Sequence, residues 1–142
     1  MYKLGRDIYC LVFTRCPEAK TLFPDVEAAG DNWEQCAQFK NQAVRFVLAL
    51  SNSVRHMLHP AELDAIMIKL GKAHQKYAAR GFELKHWDVF SCAIAEAMAM
   101  HLQQLPQFAQ NEADRVEAVR LWRLIADYLV RQVKMGFLLQ KT

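Results

Sequence analysis

Apolar residues recur at helical spacing along almost all of this 142-residue chain, and only 5 Gly and 4 Pro interrupt them. That is too little punctuation for an all-β chain with many turns, so the sequence predicts an all-α fold built from a few long helices. The length suits a single domain, residues 1–142, able to bury a substantial core. Lys and Arg read as scattered rather than gathered into a stripe, and the net charge is only +3, which argues against a nucleic-acid partner. Charges at Lys3, Arg6 and Asp7 interrupt the start, so no secretory segment is expected there. No apolar run approaches the ~18 residues of a membrane span, and the expected location is cytoplasmic. Cys10, Cys16, Cys36 and Cys92 show neither a CxxC pair nor zinc spacing; they read as free thiols, with a Cys16–Cys36 pairing left open.

Residues 2–14 make an apolar helix that stops before Pro17. Pro17 to Phe23 reads as a short helical turn closed by Pro24, and Asp25 to Gly30 as a loop. Asp31 and Glu34 have capping-box spacing, which predicts a long helix from there to about Met57. Pro60 stands at the favoured first position of another helix, which Gly81 breaks. A further helix is expected over 84–104. The last one is capped by Asn111 with Asp114, runs to about Met135 and is stopped by Gly136.

The informative residues are polar ones on apolar faces. His74 follows Leu70 by one turn on the face of Leu63, Ile66 and Met67. Gln42 lies between Phe39 and Phe46 on the stripe that also carries Ala43, Val47 and Leu50. A buried polar group without a partner costs ~1–3 kcal/mol, so each face must offer one. Either the two groups are satisfied separately, or they line one cavity. By itself each is more often an ordinary core residue, and so is Tyr9 on the first helix. His56 and His59 are split by Pro60 and read as exposed. No nucleophile elbow, HExxH or phosphate loop is found, and Glu112 and Asp114 suit the start of a helix.

Taken together, several separated segments resemble the globin family. Pro17-Glu18-Ala19-Lys20-Thr21-Leu22-Phe23-Pro24 is similar to the family's short third helix and the corner after it. Leu70-Gly71-Lys72-Ala73-His74 is similar to its proximal helix. Gly5 and Ala43 fall where two helices cross closely. Trp87, Phe90 and Ile94 resemble the start of the seventh helix, and Trp122 through Gly136-Phe137 the last. The resemblance covers essentially the whole chain. It implies a three-over-three helical sandwich lacking most of the first helix, because the chain begins four residues before Gly5.

What that resemblance implies is haem b, held by His74 as the iron ligand, with Phe23, Phe39, Phe46, Leu70, Phe82 and Phe90 around it and Arg45 toward a propionate. Tyr9 and Gln42 take the distal positions, since a register four residues earlier would leave Gln38 there. A Tyr/Gln pair resembles that of invertebrate globins, nematode ones among them, which hold oxygen tightly; both side chains donate hydrogen bonds. The expectation is reversible oxygen binding for storage, transport or sensing, with slow release and a five-coordinate ferrous state. The bulky Phe46 works against that affinity. The alternative is a haem redox enzyme or sensor acting on nitric oxide, nitrite or peroxide, served by an external reductase. An oxygen-binding protein is expected ahead of an enzyme, with a homodimer left open.

Overall fold

The structure is a computed structural model that describes residues 2–139. Seven α-helices follow one another: α1 (Tyr2–Arg15), α2 (Pro24–Ala28), α3 (Ala37–Arg55), α4 (Pro60–His74), α5 (Leu84–Leu102), α6 (Pro106–Ala109) and α7 (Glu112–Leu138). Three 3₁₀ segments join them, Pro17–Leu22, Gly30–Gln35 and Gln75–Arg80, and the described residues contain no strand. Pro17, Pro24, Pro60 and Pro106 all stand at the first position of a helix, where a missing N–H costs nothing. The side chain of Asn111 accepts the Asp114 N–H at 3.0 Å and opens α7 as expected.

Two boundaries differ from the sequence reading. The long helix starts at Ala37, not at Asp31, and the capping box does not form. Glu34 is drawn off to Arg6 on α1, 3.3 Å away, while Asn32 leaves helical torsions. The stretch expected as a loop is the short helix α2; the Gln38 side chain accepts the backbone N–H of Asp25 at 2.9 Å and of Val26 at 3.3 Å in its first turn. At the other end, Gly136 does not stop α7. It is buried inside the helix, and a Cβ there would stand 2.0 Å from the carbonyl oxygen of Ile68.

Contacts between helices run in a chain rather than all to all. α3 packs on α1, α1 on α5, α5 on α7, and α7 on α4. The two end members, α3 and α4, are neighbours in sequence yet touch little. The sandwich thus has two helices laid over three, like a clamp with α3 and α4 as jaws and α1, α5 and α7 as its spine. Ile8, Val12, Ala93, Ala97 and Ala126, each at most 1% exposed, fill that spine. Its small residues are what allow the helices to close up. All four cysteines are free.

A cavity between two helices

A cavity of about 560 Å³ opens between the jaws, within the usual range for a site that takes a small organic molecule or cofactor. Tyr9 reaches it from α1; Gln42, Arg45 and Phe46 from α3; Leu70 and His74 from α4; Phe82, Phe90 and Ile94 from the far wall. Its lining holds the cations Arg45, Lys76 and Arg80 and, among the described residues, no Asp or Glu. An apolar slot with a cationic mouth is therefore what the fold builds.

His74 is the last residue of α4, half-buried against Trp87, Tyr77 and Phe82, with ring centroids 4.9, 5.4 and 5.7 Å away. Its Nδ1 lies 2.8 Å from the carbonyl oxygen of Leu70, one turn back. That acceptor demands a proton on Nδ1, which leaves the lone pair of the neutral ring on Nε2. Burial lowers the imidazole's pKa, and the bond to Leu70 only partly offsets this. A neutral imidazole with one free nitrogen is a metal ligand in waiting.

Across the cavity, Gln42 Nε2 donates to the Tyr9 hydroxyl oxygen at 3.0 Å. Tyr9 is 2% exposed, and its burial raises the phenol's pKa well above the ordinary value, although the bond from Gln42 pulls the other way. The hydroxyl is thus protonated at every ordinary pH. No acceptor for its proton is found among the described residues, so that proton is left for whatever enters the cavity. Phe46 and Phe90 stack with centroids 5.3 Å apart and planes at 27°, and Tyr9 stands edge-on to both.

Of the residues singled out from the sequence, Tyr9, Phe23, Gln42, Arg45, Phe46, Leu70, His74, Phe82 and Phe90 all line this one cavity. Phe39 does not. It is 1% exposed and stands behind Tyr9, edge-on to that ring and to Trp33. Trp87, Tyr77, Lys76, Met67 and Ser53 also line the cavity and carried no separate signal, since a Trp or Met at helical spacing reads as core. Gln38 touches the rim, but its oxygen is committed to α2. His56 is turned to its own helix, with Nδ1 2.8 Å from the Asn52 carbonyl. The described residues hold no cluster of His, Cys, Asp or Glu suited to a metal by themselves. None of their helices is long and apolar enough to cross a membrane.

A family model described as Globin matches residues 6–119. The globin-related protein glb-13 of Caenorhabditis elegans is 23% identical over 135 residues, which are 94% of this chain and 44% of that protein's length. The chain thus spans less than half of that relative. A hexacoordinated heme protein from an anhydrobiotic tardigrade, solved at pH 4, is similar in structure with a TM-score of 0.80. The match covers 96% of this chain and 83% of the other at 17% identity, a likeness of fold.

Proposed function

This chain belongs to the globin family, and we propose that it holds a haem b between α3 and α4, with His74 as the iron's protein ligand, and binds dioxygen reversibly on the opposite side. One observation carries this reading: a neutral His74 with its Nε2 left free shares a cavity with an unspent Tyr9 proton. The residues present fit the group. The walls are apolar as a porphyrin needs, and among the described residues the only formal charges of the lining are the three cations that two propionates would meet. Arg45, Lys76 and Arg80 are exposed at the mouth, where they can pair with carboxylates without being desolvated themselves. When bound, a ferrous haem would supply the iron that takes a diatomic ligand.

The chain's own groups do the rest. His74 is held in one tautomer by Leu70, so it ligates without a proton to lose. Gln42 donates to the Tyr9 oxygen and so points the phenol. Tyr9 donates its proton to a ligand that draws negative charge, worth ~1.5–3 kcal/mol for such a bond. Phe46 and Phe90 give the space beside them an apolar wall. Gln42 is a poor iron ligand, so His74 would be the sole protein ligand of a bound ferrous iron. Oxygen carriage, storage or sensing is favoured over redox catalysis because Tyr9 and Gln42 offer hydrogen-bond donors on the side facing His74. Four free thiols suit a reducing compartment such as the cytoplasm, where an external reductase would keep the iron ferrous.

Titration of the apoprotein with haemin tests this. The expected result is a Soret band saturating at one haem per chain, and after reduction the single broad visible band of a five-coordinate ferrous globin. His74→Ala should abolish the latter unless imidazole is added. No Soret band with the wild type would overturn the proposal.

A further inference from the structure

We propose that Gln75 is a positioning residue for the iron ligand: its amide locks the end of α4 onto the last turn of α7 and so sets the pose of His74. This rests on the haem reading above. At His74 the α-helix ends, and the chain tightens into the 3₁₀ segment Gln75–Arg80. His74 thus sits at the join of two helix types, where the hydrogen-bond register changes. Gln75, the first residue past that join, ties it to α7. Its Nε2 donates to the carbonyl oxygens of Gly136 at 3.3 Å and Phe137 at 3.1 Å, and to that of Leu139. These lie at the end of α7 and its C-cap, where the Gly136 carbonyl also accepts the Leu139 N–H and the later carbonyls lie past the regular ladder.

The two helices are already pressed together just before this point. A Cβ on Gly71 would stand 2.0 Å from the Val133 carbonyl oxygen, so backbone meets backbone there. That crossing, together with Gly136 against Ile68, fixes how closely α4 and α7 approach. Gln75, four residues on from Gly71, adds a directional tie at the end of α4. A second path runs alongside: Phe137 packs on Phe82, 5.6 Å between centroids, and Phe82 packs on His74. The end of α7 is thus coupled to the iron ligand by one polar and one apolar contact.

The test uses the haem-loaded full chain and the iron–histidine stretching band of its deoxy ferrous form, read by resonance Raman. Gln75→Glu keeps the shape but removes the donor; it should shift and broaden that band and speed haem loss to an excess of acceptor apoglobin by about tenfold. Gln75→Met, apolar and of similar length, should do the same without placing a charge beside the carbonyls. Gln75→Lys restores a donor and should restore both readings. Tyr128→Phe breaks another α4–α7 tie, the bond to Asp64, and should lower stability while leaving the band in place. An unmoved band in haem-loaded Gln75→Glu and Gln75→Met, or an equal shift in Tyr128→Phe, would overturn the assignment. A wild type that takes up no haem overturns the haem reading itself, and is told apart by its missing Soret band.

Discussion

Tyr9 and Gln42 make a pair in which each group limits what the other can do. The amide donates to the phenol, so the phenol's own proton is the one that faces the cavity. Removing the hydroxyl therefore removes the stronger donor and frees the amide at once. Tyr9→Phe should speed oxygen release by about tenfold to a hundredfold, the equivalent of one hydrogen bond to a charged acceptor, as measured by stopped-flow displacement with carbon monoxide. An unchanged rate would mean that Gln42 swings in to replace it. Gln42 and His74 stood out in the sequence because each breaks an apolar stripe, and Tyr9 only through the family resemblance. Phe39 shares the stripe of Gln42, yet the register places it behind Tyr9, and no count of apolar spacing separates the two faces of a helix buried so broadly. Gln75 gave no signal at all, because a polar residue one step past a helix end is ordinary and its acceptors lie 61 and more positions away.

Among the elements, the α4–α7 pair decides how the site is held. Gly71 and Gly136 each face the backbone of the opposite helix. An added methyl group meets a carbonyl oxygen at 2.0 Å in either place, and backbone cannot step aside as a side chain can. Gly71→Ala and Gly136→Ala should each cost at least the ~1–3 kcal/mol typical of overpacking, seen as a lower urea midpoint. A midpoint within error of wild type would show that the helices can part. The helices themselves were readable from spacing, prolines and the Asn111 cap, which are local signals. What failed were the signals with a second use: Glu34 has the spacing of a cap but pairs with Arg6, and Gly136 has the look of a stop but serves a crossing. Local sequence cannot reveal a partner supplied by another helix.

On the scale of the whole molecule, charges that look scattered along the chain are sorted by the fold. Residues 35–82, which contain both jaws, hold seven Lys and Arg against two acids, Glu62 and Asp64, while the rest of the chain is net negative. None of those seven cations is in an ion pair among the described residues. The site therefore lies at the positive end of the molecule, and small anions should be steered to it. Reduction of the ferric haem by an anionic iron chelate should slow about two- to fivefold between 20 and 200 mM salt, as the Debye length shortens. A cationic reductant should not slow; equal salt dependence for both would show that the site feels no local charge. The clamp has one more consequence, and it concerns cutting. On its open side the jaws are joined by little more than the Ser53–Met67 contact and the residues between α3 and α4, where Leu58 is 89% exposed. A protease nick there would part the chain into an α1–α3 piece and an α4–α7 piece. Each would keep its own jaw, and α1 on α5 would be their seam. The two pieces should therefore stay together through α1 and α5, behind the cavity, and elute as one species on size exclusion after the nick.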